Sequence, residues 1–169
     1  MTGRQDDAGD STAANPAEAV GSALAERSLT LAVAESCTGG LLAKLITDVP
    51  GSSRYFACGW VTYSNRAKTT ELAVEKNLIE QFGAVSGEVA SSMALGALRQ
   101  AGTDFALAVT GIAGPGGGTR RKPTGLVFIA LAGGGRCETK KFVFSGNRDL
   151  IRQKAAREAL NMLRDALRI

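Results

Sequence analysis

The chain predicts a three-layer α/β/α sandwich around a mixed, mostly parallel sheet, and three observations carry that expectation. Segments with helical spacing alternate with short apolar runs in the order helix, strand, helix, strand, helices, strand, hairpin, helix, which buries a sheet between two helical layers. Gly133, Gly134 and Gly135 join the last two strand-like runs, favouring an antiparallel hairpin and so a mixed sheet. Three strands run directly into segments rich in hydroxyls, glycines or polar residues, at 36–40, 63–68 and 110–118. Open α/β sheets bind ligands at the carboxyl ends of their strands, so these segments form one pocket if the strands lie side by side.

Each element has its own local cause. Asn15 before Pro16 is a capping residue followed by a proline at the first helical position, and Ala17, Val20 and Leu24 share a face, giving a helix over about 16–26. The run at 29–34 is β-compatible, and Leu41, Leu42, Leu45 and Ile46 then recur at helical spacing until Val49, Pro50, Gly51 and Ser52 supply turn chemistry. Aromatic and β-branched residues at 55–63 suit a second strand. From 66 to 82 the pattern is helical but interrupted, with Leu72, Val74, Leu78, Ile79 and Phe82 inward, and two short helices are expected. Ser86 precedes an amphipathic run through Leu98 that Gly102 ends, and 104–109 is an apolar stretch of the kind found in buried strands. Strands at 126–132 and 139–144 form the hairpin. A last helix at 149–167 places Leu150, Ala155, Ala159, Leu163 and Leu167 on one face.

Length and composition narrow the function classes. The 169 residues fit a disordered polar tail over 1–15 and one domain over 16–169. No run of 18 apolar residues is present, and the N-terminus lacks the apolar core of a signal peptide, so no membrane partner and a cytoplasmic location are expected. The net charge of +4 is spread over the chain and aromatics make up 5%, which does not favour nucleic-acid binding. Cys37, Cys58 and Cys137 are spaced too irregularly for a disulfide framework or zinc knuckle. The chain has no histidine, which removes Ser-His-Asp and Cys-His arrangements and the histidine-bearing zinc sites.

The stretch AESCTGG at 34–40 is the centre of the chemistry. A strand turning sharply into a helix leaves N–H groups at Cys37, Thr38, Gly39 and Gly40 free to meet an anion or a developing oxyanion. Ser36 and Cys37 are both candidate nucleophiles, and Ser36 is preferred because a free cysteine is usually a small buried hydrophobe. Without histidine, the obvious base is Lys68, provided burial lowers its pKa, and Tyr63 either orients that lysine or packs as a core aromatic. The second glycine-rich segment contains Thr110, Gly111, Gly114, Gly116, Gly117 and Gly118 but neither GxxxxGK[ST] nor GxGxxG. Its N–H groups, with Thr119 and Arg120 beside them, suit a phosphate, although glycine clusters also serve as plain connections.

AESCTGG at 34–40, GSSRYF at 51–56, VTYSNRAK at 61–68, GAVSGEVA at 83–90, TGIAGPGGGT at 110–119 and KPTGLVF at 122–128 together closely resemble the CinA C-terminal domain family, over roughly residues 16–167. The resemblance does not extend to the nucleotide-processing domain of longer relatives. It implies a nicotinamide-nucleotide amidase that converts nicotinamide mononucleotide to nicotinate mononucleotide and ammonia, as a serine/lysine amidohydrolase without metal or cofactor. Ser36 and Lys68 stand at the matching positions. Family members are commonly dimeric, so a homodimer is expected. Thr124 stands where the resemblance leads one to expect valine. A competing class is a non-catalytic nucleotide-binding or interaction module linked to competence or DNA damage, and retention of both Ser36 and Lys68 opposes it.

Overall fold

The computed structural model describes residues 15–169, so the expected tail lies outside the described residues except for Asn15. That residue caps α1 (Pro16–Glu26) by accepting the Ala17 N–H, and Pro16 at the first helical position already has the helical φ. The chain continues through β1 (Leu31–Glu35), α2 (Leu41–Thr47), a 3₁₀ turn (Ser52–Arg54) and β2 (Phe56–Val61). Helices α3 (Asn65–Leu72), α4 (Lys76–Phe82) and α5 (Gly87–Ala101) precede β3 (Phe105–Gly111), β4 (Leu126–Gly133), β5 (Arg136–Val143) and α6 (Arg148–Leu167).

The five strands lie in the order β2-β1-β3-β4-β5. The β1–β2 and β1–β3 pairs are parallel, β3–β4 and β4–β5 are antiparallel, and β4 alone runs against the other four. Side-chain alternation sorts the central strands by size. Leu31, Val33, Leu107, Val109, Val127, Ile129 and Leu131 face α1, α2 and α6. Ala32, Ala34, Ala106, Ala108, Ala130 and Ala132 face α5 and its neighbours. An alanine surface lets α5 approach the sheet closely, and Gly96 of α5 separately admits α3, since a Cβ there would stand 2.1 Å from the Leu72 carbonyl oxygen.

The interruption at 66–82 is a break after α3, where Ala73 takes the left-handed conformation (φ 55°), and Val74 then turns inward. The hairpin is tighter than the sequence pattern predicts. Gly134 and Gly135 alone form the turn, both at positive φ, and β5 therefore begins at Arg136 rather than Thr139. Two residues expected to face inward are exposed: Phe82, in the last turn of α4, and Leu150, in the first turn of α6. Both sit at helix ends, where the apolar stripe has run past the packed surface. Among the described residues no helix is long and apolar enough to cross a membrane.

Candidate active site

Because β2, β1 and β3 are parallel neighbours, the segments after them meet at one edge of the sheet. Together with α6 and the α4–α5 connection they enclose a cavity of about 290 Å³, lined by Ser36, Cys37, Tyr63, Lys68, Thr110 and Arg148 among others. A larger cavity of about 490 Å³ lies against α3 and α4, but no nucleophile paired with a buried base lines it.

The turn after β1 is organised by Glu35, whose role the sequence reading missed. Its carboxylate is fully buried and accepts N–H groups from Gly40 (3.0 Å), Leu42 (3.1 Å) and Ala43 (2.8 Å). The start of α2 is therefore occupied by the protein's own carboxylate. This corrects the expectation that Gly39 and Gly40 offer free donors, since the Gly39 N–H donates to the Ser36 carbonyl and the Gly40 N–H to Glu35. The Cys37 and Thr38 N–H groups donate to no other residue among the described residues. Gly39 and Gly40 stay essential for shape, with φ of 60° and 95° in the region glycine favours. From the far side, Arg152 Nε and Nη2 donate to the Thr38 carbonyl, tying α6 to the turn. The Thr38 hydroxyl is buried without a partner among the described residues.

Ser36 follows Glu35 and continues the alternation toward the layer that contains α3. There Lys68, only 1% exposed, brings its Nζ to 3.1 Å from Ser36 Oγ. Lys68 Nζ also donates to the Thr62 carbonyl at 2.7 Å. No ion pair holds Lys68 among the described residues. Burial lowers its pKa from the ordinary 10.5, opposed by the nearby Cys37 sulfur. A neutral amine fixed by the Thr62 carbonyl has its lone pair available for the serine proton. The lysine is thus oriented by a backbone carbonyl, and Tyr63 neither orients it nor packs in the core. Tyr63 is 60% exposed, and its hydroxyl accepts from Arg148 Nη2 at 3.0 Å.

Cys37 lines the same cavity, but burial pushes its thiol up to about 12, with Glu35 adding to the effect and the Cys37 N–H, Lys68 and Arg148 opposing it. The thiol is protonated at neutral pH and is the poorer nucleophile.

The glycine-rich segment divides. Thr110, Gly111, Gly114, Gly116 and Gly117 line the cavity, while Gly118, Thr119 and Arg120 do not. The Thr110 hydroxyl is committed to the Ala84 carbonyl at 2.8 Å. Arg120 is exposed, and the guanidinium in the lining belongs instead to Arg148, which also donates to the Gly114 carbonyl at 2.7 Å. Arg148 gave no sequence signal, because it lies 85 residues from Tyr63 and opens a helix whose charged face is otherwise solvated. Glu35 did leave one, a lone carboxylate ending an apolar strand. Among the described residues no cluster of three or more His, Cys, Asp or Glu side chains is placed to hold a metal ion.

Fold and site together define an α/β/α domain that buries a serine hydroxyl against a lysine amine at the carboxyl edge of its sheet. Comparison with known proteins gives the family, for the CinA C-terminal domain profile matches residues 13–167, and the chain belongs to that family. A CinA-like protein of Geotalea uraniireducens (strain Rf4) is 55% identical over 148 residues, 88% of this chain and 35% of the relative. A putative competence-damage inducible protein of Symbiobacterium thermophilum is 54% identical over 156 residues, 87% of this chain and 37% of the relative. The chain thus spans about a third of the length of these curated relatives. Among solved structures, the competence/damage inducible protein CihA from Agrobacterium tumefaciens superposes with a TM-score of 0.88 at 40% identity, covering 93% of this chain and 98% of that one. A CinA superfamily protein from Klebsiella pneumoniae gives 0.87 at 35% identity, covering 90% and 95%.

Proposed function

We propose that this domain is a serine/lysine amidohydrolase that deamidates nicotinamide mononucleotide to nicotinate mononucleotide and ammonia. The observation that carries the reading is the 3.1 Å approach of a buried lysine amine, its pKa lowered, to the Ser36 hydroxyl. Neutral Lys68 takes the serine proton as Oγ bonds to the carboxamide carbon, and the negative charge that develops on the amide oxygen falls to the Cys37 and Thr38 N–H groups. Lys68 returns the proton to the amide nitrogen, the C–N bond breaks and ammonia leaves. Water then attacks the ester, its proton passing to Lys68 and on to Ser36 Oγ as the acid departs. The cationic pyridinium ring withdraws electrons from the amide and makes its carbon a better electrophile.

The lining supports a nucleotide rather than free nicotinamide. Val85, Ile112 and Ala113 give an aliphatic surface for a flat ring, and Arg148 supplies a cation for the 5′-phosphate. Its contacts to Gly114 and Tyr63 use two of five guanidinium N–H donors, leaving three for an anion. The test is ammonia release by the purified protein from nicotinamide mononucleotide, its riboside and free nicotinamide. The expected order of kcat/KM is mononucleotide, then riboside, then nicotinamide. Absence of turnover on all three rejects the function.

A further inference from the structure

One wall of the pocket is made from chain without regular structure. Ala84 and Val85, in the connection between α4 and α5, both line the cavity. Four successive carbonyls, from Phe82 at the end of α4 through Val85 in this connection, are taken by side chains. The Gly83 carbonyl accepts from Ser86 Oγ at 2.9 Å, and the Ala84 carbonyl accepts from Thr110 Oγ1 at 2.8 Å. The Phe82 and Val85 carbonyls both accept from Lys122 Nζ, each at 2.7 Å, across sequence separations of 40 and 37 residues.

The anchorage of that lysine is built from both sides. Its N–H donates to Thr119 Oγ1 at 3.0 Å, and its carbonyl accepts the Thr119 N–H at 2.8 Å, so a reciprocal turn fixes the base of the side chain. Opposite, Gly83 has φ +78°, and a Cβ there would stand 2.8 Å from Lys122 Nζ, so glycine both permits the bend and admits the ammonium. A cation at the Phe82 carbonyl, in the last turn of α4, also meets the negative end of that helix. Thr119 and Lys122, part of the glycine-rich segment that does not line the cavity, thus have a position and a set of partners.

We infer that Lys122 is a positioning residue, a clasp that joins the glycine-rich segment to residues 82–85 and holds Ala84 and Val85 as a fixed wall of the pocket. Its kinetic consequence rests on the amidase reading above, whereas its structural consequence does not. Two charge-assisted hydrogen bonds from one ammonium are enough to set the local stability of this connection. Ala84 and Val85 line the cavity and make no hydrogen bond to Ser36 or Lys68, so loss of this wall weakens binding more than bond breaking.

The experiment compares the parent with Lys122→Met and Lys122→Gln, either folded variant being sufficient. Two readouts are taken: amide hydrogen exchange of Gly83, whose N–H bonds the Ile79 carbonyl at 2.8 Å in the last turn of α4, and steady-state kinetics on nicotinamide mononucleotide. Both variants are expected to speed Gly83 exchange at least tenfold while amides in α1 and α6 stay unchanged, and to raise KM about tenfold with kcat within about threefold. Lys122→Arg, which keeps donors at that place, is expected to recover most of the protection. Gly83 exchange within twofold of the parent in a folded variant overturns the clasp. A parent inactive on the mononucleotide, with Gly83 exchange accelerated in the variants, leaves the clasp standing and rejects the amidase reading instead.

Discussion

Replacing Lys68 by methionine removes the amine and keeps a side chain of similar length in its buried site. The position is 1% exposed, 3.1 Å from the Ser36 hydroxyl, and its other polar partner is the neutral Thr62 carbonyl, so no second base stands ready to replace it. General-base catalysis contributes about 10²- to 10⁴-fold, or roughly 3 to 5 kcal/mol of barrier, and Lys68→Met should lower kcat on nicotinamide mononucleotide by at least that much. Lys68→Arg should be as inactive, because a guanidinium stays charged. Stability moves the other way. Burial holds the folded-state pKa of Lys68 below the 10.5 of the unfolded chain, so between those values the unfolded chain binds more protons and stability rises with pH. Below the folded-state pKa both states are protonated and the penalty is full, while above 10.5 it vanishes. Urea unfolding of parent and Lys68→Met across this range should show the parent gaining on the variant as pH rises, with the variant at least as stable at neutral pH. In the parent, kcat/KM should rise with unit slope on the acid side, to a midpoint below 10.5. A Lys68→Met enzyme with a tenth or more of parental kcat, or an acid limb whose midpoint reaches 10.5, refutes the neutral-lysine base.

Other perturbations follow from the same geometry. Glu35→Ala leaves three N–H groups without their acceptor, that of buried Leu42 and those of half-buried Gly40 and Ala43; at about 1–3 kcal/mol each, and with partial rescue by water, the loss should destabilise by about 3–5 kcal/mol, roughly ten degrees in Tm. A loss under about 1 kcal/mol in calorimetry contradicts the role given to Glu35. Cys37→Ala should keep kcat within about threefold, and the parental thiol, with its pKa pushed up to about 12, should alkylate slowly at pH 8. Arg148→Ala should raise KM for the mononucleotide roughly ten- to a hundred-fold with little change for the riboside, whereas Arg120→Ala should change neither by more than about twofold. A larger effect from Arg120 reverses the assignment of the phosphate contact.

The parts of this molecule legible in its sequence are those set by local chemistry. The Asn15–Pro16 start, the Ser86 cap and the Gly102 stop lie within four residues of the backbone groups they satisfy, and the boundaries of α1 and α5 follow from them. The meeting of Ser36 and Lys68 was legible as well, because parallel neighbouring strands bring their ends together and a chain without histidine leaves few bases. What stayed hidden depends on pairs distant in sequence. Arg148 reaches Tyr63 and Gly114, Arg152 reaches Thr38, and Lys122 reaches Phe82 and Val85, and nothing near those cations in the chain announces which carbonyl each will find. Arg120 misled for the complementary reason. It stands beside the glycines in sequence, while the Thr119–Lys122 turn leaves it exposed outside the pocket.

The central claim is that Ser36 forms the bond to the carboxamide carbon. The most direct measurement is ammonia release from nicotinamide mononucleotide by Ser36→Ala, beside the parent at equal concentration and with matched unfolding curves. The account predicts ammonia from the parent and, from the variant, a rate lower by at least about 10³-fold, the loss expected when a nucleophile is removed and only binding and oxyanion contacts remain. Release by a folded Ser36→Ala protein at a rate comparable with the parent would contradict it.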